Sequence, residues 1–512
     1  MAERSGAIGL WAAATVAALV LGTLMAVFWR AGSFGASFTA ADWAAVRFTV
    51  TQAILSSAIS TALAVPLARA LARRQFTGRR LLITLLGAPF ILPVIVAVLG
   101  LLAIFGRNGL VNGVLDWAGL PTLQIYGLDG VVLAHVFFNL PLATRLILQG
   151  WADIPAERFR LAASLGFSAR DMRRHLEAPM LRQVIPGCAM AVFLICLTSF
   201  AVALTLGGGP RATTVELAIY QAFRFDFDLA RAAMLSLVQF GLATAAALLA
   251  WRLTPISVAG GGMDRVPQRF DGAGTTARAL DAGLIGLGAL FLLLPLVMVV
   301  LGGAGRLFDL PPSIWWAAGR SLAVAAASVV IALGLALPMA LSIAAGRRGA
   351  GAIEVIGAMT IANSPLVLGT GLFLILFPIA DPQRLALVVT ALVNALAAMP
   401  FVLRSLVPSL RQMRADYSRL ADSLGLSGWN RLRWLVIPRL RAPLAFSCGL
   451  TAALSIGDLG VIALFADPER ATLPLAIYQL MGSYRMEQAA AASVLLMVLS
   501  LGVFWALDRV GR

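Results

Sequence analysis

Lysine is absent from this chain of 512 residues, and all 40 of its basic side chains are arginine. A P-loop needs a lysine to hold nucleotide phosphates, so if ATP drives this protein, another chain must hydrolyse it. Histidine is scarce: His135 and His175 are the only two, too few for a histidine-rich metal site within the chain. Cys188, Cys196 and Cys448 fall within or at the edges of apolar runs, where small apolar packing is their ordinary role. Neither a metal cluster nor a disulfide frame is expected, no cofactor is implied, and no catalytic constellation can be assembled. Charge is thin too, at 12% of the chain against roughly 25% in soluble domains.

Apolar residues take the place of charge. They form 60% of the sequence, with a mean hydropathy of +0.89, more than a soluble core can absorb. Runs of about 20 apolar residues match the hydrocarbon thickness of a bilayer. In the first half they centre on Ala14, Ser56, Leu92, Phe137, Phe193 and Leu242; in the second, on Ala289, Val329, Leu368, Val393, Thr451 and Leu496. The first run lacks a small-x-small cleavage site followed by polar sequence, so it reads as an uncleaved span rather than a signal peptide. The expectation is an all-α polytopic membrane protein with twelve transmembrane helices.

Basic loops stay in the cytoplasm. With both termini inside, 29 of the 40 arginines fall on that side, most of them between Arg69 and Arg80, Arg145 and Arg182, Arg252 and Arg278, and Arg404 and Arg441. The net charge of +16 follows from this topology together with anionic membrane lipid, and nucleic-acid binding is not expected.

One pattern is written twice: FRLAASLGFSARDMRRHLEAP, ending at Pro179, and SRLADSLGLSGWNRLRWLVIP, ending at Pro438. Pro141, Arg145, Gly166 and Pro179 each precede Pro400, Arg404, Gly425 and Pro438 by 259 residues, and LAIYQ recurs at Leu217 and Leu475 with an offset of 258. So long a period marks a doubled domain rather than a solenoid. The expected division is a first half over 1–253, a Gly-rich linker over 254–278 and a second half over 279–512, with matched cytoplasmic loops over 151–182 and 408–441.

The loop chemistry can be read locally. Leu161 and Leu165, like Leu420 and Leu424, sit four apart and form an apolar stripe on a short helix. Gly166 and Gly425 suit the left-handed turn that closes it. Ser168 and Ser427 follow where a side-chain oxygen can cap a second helix, with Asp171 placed as a capping-box partner in the first copy. Pro179 and Pro438 should stop that second helix from running on. The product is a helix, a turn and a helix, too short to bury a core, that either lies on the lipid surface or fills a groove in a partner.

Gly followed thirteen residues later by Pro resembles the E-A-A, three residues, G, nine residues, I-x-L-P signature of the permease subunits of bacterial ABC importers. The match falls on Ala162, Gly166, Leu176 and Pro179, and on Ala421, Gly425, Leu435, Ile437 and Pro438. Where the signature has Glu and its first Ala, this chain has Arg160 and Leu161, then Arg419 and Leu420; an acidic residue stands three positions earlier, at Glu157 and Asp416. The resemblance implies that these loops dock into two copies of a cytoplasmic ATPase subunit, and that a periplasmic binding protein delivers substrate through the bacterial inner membrane. GGGPRATTVELAIYQAF from Gly207 and LSIGDLGVIALFADPERATLPLAIYQ from Leu454 are similar to the fused permeases of thiamine ABC transporters. Fused iron(III) permeases share the plan and are the nearest rival. The implied activity is non-catalytic transport of thiamine or its phosphates, with the binding protein meeting the loops Gly207–Phe227 and Ala466–Met486.

Polar groups at membrane depth are costly and mark candidate path residues. Asp458 stands in S-I-G-D, and its counterpart at the 259 offset is Ser199; a path carboxylate facing a thiazolium and a paired structural Asp are both open. Asn139 and Asn394 precede the shared Pro141 and Pro400, as substrate contacts or as helix-to-helix hydrogen bonds. Asn363, Ser364 and Pro365, with Gly369 and Gly371, mark a broken or closely packed helix, and the triple glycine at Gly207 to Gly209 reads as a flexible turn. A proton-coupled carrier would share a plan of two sixes, and RRQFTGRR from Arg73 faintly resembles a loop of that superfamily. Its preceding Asp is missing, however, and the spans do not hold the several acidic or His groups expected of a proton relay.

Overall fold

Unbroken apolar runs in a bilayer must satisfy every backbone group internally, and each run folds as helix. The structure is a computed structural model that describes residues 2–32, 38–87, 91–207, 209–253, 274–346, 349–465 and 468–511. The linker expected over 254–278 lies, as far as residue 273, outside the described residues, as do Arg265, Arg269, Arg347, Arg348 and Arg512.

The first-half helices are α1 (Ala2–Gly32), α2 (Ala40–Arg73), α3 (Arg79–Leu85), α4 (Val94–Phe105), α5 (Leu110–Trp117), α6 (Leu128–Ala152), α7 (Ala156–Ser164), α8 (Ala169–Met172), α9 (Ala178–Leu197), α10 (Ala201–Leu206), α11 (Val215–Arg224) and α12 (Leu229–Leu253). The second half runs α13 (Thr275–Gly303), α14 (Pro312–Ala344), α15 (Ala350–Ala362), α16 (Pro365–Leu376), α17 (Pro382–Ser423), α18 (Gly428–Arg431), α19 (Ile437–Arg439), α20 (Arg441–Ile456), α21 (Gly460–Phe465), α22 (Leu473–Gly482) and α23 (Met486–Gly511). Eleven spans among the described residues are long and apolar enough to cross a membrane, and the pair α15 and α16, bent by 95°, makes a twelfth if it counts as one span. Ser364 and Pro365 build that bend: the Ser364 hydroxyl accepts from Val367 N at 3.2 Å and Pro365 opens α16. Leu92, expected at the centre of the third span, instead stands just before α4, because Pro93 caps that helix and the span proper begins at Val94.

The duplication keeps no single register. Along the second span the offset is 272, as Thr49 and Ser321 show in their matching bonds to α11 and α22; from Gly78 and Gly349, the αL residues that precede α3 and α15 with φ of +93° and +94°, to α4 from 94 and α16 from 365 it is 271. Beyond the third span it is 259, because the first half carries extra chain around α5, and 258 between α11 and α22. Buried Asn112 ties that insertion together, donating to Gly106 O and Leu123 O and accepting from Leu123 N.

Each half lends its first span to the other. α1 packs on α14, α15 and α16 of the second half, while α13 packs on α2 and α4 of the first. Both crossings close on a glycine. A Cβ on Gly371 would stand 2.6 Å from Thr23 O, and one on the equivalent Gly100 would meet Pro295 O. Close backbone approach of this kind needs small residues, so Gly371→Val should lower stability by roughly 1–3 kcal/mol through overpacking, measured as a fall in the thermal unfolding midpoint of detergent-solubilised protein; Gly319→Ala, where a Cβ meets nothing within 4 Å, is the control.

Candidate docking loops and polar interior

Both repeated loops form the expected turn. Gly166 and Gly425 share φ of +65°, and the chain folds back so that Phe167 N donates to Ala162 O at 3.0 Å and Leu426 N to Ala421 O at 2.9 Å. These bonds, with Gly166 N to Ala163 O and Gly425 N to Asp422 O, are the paired closure of a Schellman motif. Ala162 and Ala421 are buried beneath it, whereas Leu161, Leu165, Leu420 and Leu424 are all more than half exposed. Glu157, Arg160, Asp416 and Arg419 are exposed beside them, Leu176 and Leu435 are half-buried, and Pro179 and Pro438 are exposed. An exposed apolar stripe next to exposed charge suits either a lipid surface or the groove of a partner.

Three expectations need correction. Ser168 makes the capping box, accepting from Asp171 N at 3.3 Å while Asp171 Oδ2 accepts from Ser168 N at 3.0 Å. Ser427 caps nothing, since Asn430 stands where the first copy has Asp171. The helix before Gly425 is not short: Pro155 begins a separate α7 in the first copy, but Arg414 replaces that proline and α17 runs 42 residues into the loop. Nor does Pro179 end its helix. A π turn over Arg173–Glu177 leads into α9, with Ala178 N donating to Arg173 O, and Leu432–Val436 repeats it ahead of Pro438. The wider turn absorbs a residue without an N–H, so Pro179 marks where the helix widens; after Pro438 the helix does stop, at Arg439, and a turn at Leu440 precedes α20.

That π turn ties the first loop to the bundle. Glu177, buried within it, pairs with Arg69 near the end of α2, Nε to Oε2 at 2.9 Å. The second copy has Leu341 and Val436 at these positions, both in apolar packing.

At membrane depth, His135, Cys196 and Ser56 form a buried group whose counterparts are Asn394, Ser455 and Ser328. Ser56 Oγ lies 3.4 Å from His135 Nδ1; Asn394 Nδ2 donates to Ser455 Oγ at 3.1 Å, itself 2.9 Å from Ser328 Oγ. Asn394 therefore answers to His135 and not to Asn139, which donates to His135 O and Cys196 Sγ. Both asparagines bond helix to helix. Ser199 and Asp458 occupy equivalent breaks, between α9 and α10 and between α20 and α21. Asp458 Oδ1 accepts from Gly460 N at 3.1 Å, and its buried Oδ2 has no partner.

The expected outer loops are mostly helix. Gly208 and residues 466–467 lie outside the described residues; Gly209 turns at φ +122°. α11 and α22 are short, largely buried, and held in the same way: Val215 N donates to Thr49 Oγ1 at 2.8 Å and Leu473 N to Ser321 Oγ at 2.9 Å. At this end, opposite the docking loops, a pocket of about 450 Å³ is lined by Arg320, Glu469 and Arg485 among others.

Glu216 in α11 escaped notice in the sequence. It is 1% exposed and Oε1 has no partner; burial raises its carboxyl to about 8, opposed by the neighbouring Ser364 and Gln239. The signal was a lone carboxylate in an apolar motif whose twin has Pro474 at that place.

Residues 329–512 match the family described as binding-protein-dependent transport system inner membrane component. The thiamine transport system permease protein of Brucella abortus is 40% identical over 97% of this chain and 94% of its own length. The Escherichia coli K12 protein of that description is 39% identical over 98% and 96%, and that of Haemophilus influenzae 34% identical over 83% and 81%. Similar along nearly its whole length to these permeases, and matched over 329–512 by the inner-membrane component of binding-protein-dependent transport systems, the chain belongs to the family of binding-protein-dependent transport permeases.

Proposed function

We propose that this chain is the permease subunit of an ATP-driven thiamine importer, carrying thiamine or its phosphate esters. The observation that carries this reading is identity of about 40% along nearly the full length of permeases described as thiamine transporters. Those names favour thiamine over iron(III). The chain supplies the membrane path and hydrolyses nothing itself.

Residues 1–253 and 279–512 act as its two halves, with both termini in the cytoplasm. Each docking loop, 151–182 and 408–441, takes one copy of an ATPase subunit. Leu161 and Leu165, or Leu420 and Leu424, enter the partner's groove, while Arg160 and Arg419 meet its acidic rim. A periplasmic binding protein delivers substrate to the opposite end, around α11, α22 and the Arg320 pocket. When the ATPases close, each loop moves as a rigid piece because the Gly166 or Gly425 turn is fully bonded; the π-bulged helix of the first copy passes the displacement directly into α9, and that of the second passes it through the turn at Leu440 into α20. Exchanged first spans make the halves rock about one another instead of separating. Asn139, Ser199, Asn394 and Asp458 lie at depths where substrate would pass.

Uptake of labelled thiamine should disappear from cells lacking this chain and return with it. ATP depletion should abolish the restored uptake, and collapse of the proton gradient should leave most of it. Normal uptake without the chain would refute the thiamine reading.

A further inference from the structure

The two halves also differ in polarity near α11. Gln52 on α2 donates to Cys196 O at 2.9 Å, and Gln239 on α12 donates to the next carbonyl, Leu197 O, at 3.0 Å. These bonds use the amide nitrogens and leave both buried Oε1 atoms without a donor. Glu216 lies beside Gln239, and Thr49, one turn from Gln52, holds the first turn of its helix. Ser364, from the second half, closes the group, and the adjacent Asn363, 2% exposed, has both side-chain polar atoms unpaired. Among the described residues no cationic side chain pairs with Glu216.

A buried acceptor without a donor is costly, so a structural purpose for this group would be expected to recur in the second copy. It does not. The equivalents of Gln52, Glu216 and Ser364 are Val324, Pro474 and Pro93; Phe227 and Tyr484, the two non-glycine residues of positive φ, set the register that places Leu496 against Gln239. The same fold is built with apolar residues at these positions, and the unpaired Oε1 atoms of Gln52, Glu216 and Gln239 are surplus to folding; the Ser364 hydroxyl has the separate task of capping α16.

We propose that Glu216 is the counter-charge for an organic cation crossing between the halves, with the Gln52, Gln239 and Asn363 carboxamides accepting hydrogen bonds from its donors. Thiamine has a fixed positive charge on its thiazolium and an aminopyrimidine that donates hydrogen bonds, so the group complements it on both counts. With no cation beside it, burial favours the protonated carboxyl over the carboxylate; an arriving cation favours the carboxylate, and the proton leaves to water. This rests on the importer reading and adds to it the residues that select the substrate.

The test uses the full complex of permease, ATPase and binding protein in proteoliposomes, with labelled thiamine as probe. Glu216→Gln, isosteric and uncharged, should reduce initial uptake at least tenfold, and Glu216→Asp should recover part of it. Gln52→Val with Gln239→Leu, which installs the second copy's residues, should raise the half-saturating concentration of loaded binding protein or lower the maximal rate several-fold in a complex that still forms. Wild-type uptake in Glu216→Gln would overturn the proposal. So would failure of both Glu216 variants to assemble alongside wild-type uptake in the Gln pair, since that pattern belongs to a structural carboxyl. ATP-stimulated wild-type complex that carries no thiamine would instead remove the importer reading, and this site with it.

Discussion

Gly425→Pro should remove ATPase capture at the second docking loop, and with Gly166→Pro the whole complex should cease to form. Both glycines hold φ at +65°, while the pyrrolidine ring fixes φ near −65°. The turn cannot close around proline, and the bonds from Leu426 N to Ala421 O and from Gly425 N to Asp422 O go with it. The proposed partner surface is the pair of leucines 54% and 65% exposed at 420 and 424, beside Arg419, and its orientation depends on that turn. Alanine, which reaches the left-handed region at a cost of about 1–2 kcal/mol, should weaken capture only partly. Arg419→Glu combined with Gly425→Pro adds a reversed charge to the broken turn. The measurement is co-purification of the ATPase with tagged permease, where a loss of at least tenfold corresponds to about 1.4 kcal/mol. The bundle should be spared, because a Cβ at 166 or 425 meets nothing within 4 Å. Undiminished ATPase recovery with both glycines replaced would refute the docking assignment.

What the sequence revealed, and what it hid, divides along a physical line. Spans, duplication and the glycine turns depend on local rules: length of apolar run, spacing, and the residue type that most readily accepts positive φ. They were legible. Features set by tertiary context were not. Pro179 looks like a helix stop until the π turn ahead of it is seen, since a proline's missing N–H can be absorbed by widening as well as by ending a helix. The second docking helix could have been read as continuous from Arg414, which stands where the first copy has Pro155. Asn139 and Asn394 seemed twins because each precedes a shared proline, yet the offset of 259 pairs Asn394 with His135, and the structure puts those two in equivalent hydrogen-bonded groups. Glu216 was concealed by its motif. A carboxylate in VELAIYQ reads as part of a family mark until burial, and the apolar residue at the twin position, show that the fold does not need it.

The Arg69–Glu177 pair offers the second large effect, and the duplication supplies its own control. Glu177 has a side chain 3% exposed, with Arg69 Nε at 2.9 Å and the arginine 22% exposed. Removing one member of a buried pair commonly costs 3–5 kcal/mol because the remaining charge loses its compensation; Arg69 keeps some water, so about 2–3 kcal/mol is expected for Glu177→Val. Arg69→Leu with Glu177→Val installs the residues of the second half, Leu341 and Val436, which pack in its apolar core. The double variant should recover most of that stability, since replacing both ions by apolar groups removes the desolvation penalty along with the attraction. The thermal midpoint of the purified permease reports the stability part. Transport per ATP hydrolysed reports the other part, because this pair joins the π turn of the first docking loop to the end of α2. Glu177→Val should lower that ratio, and the double variant should restore it if a rigid contact of either chemistry suffices to carry the loop's displacement. A stable double variant that hydrolyses ATP at the normal rate without restoring transport would mean that the first loop needs the directional hold of the ion pair, and that the two docking loops, alike in sequence and turn, couple to the membrane differently.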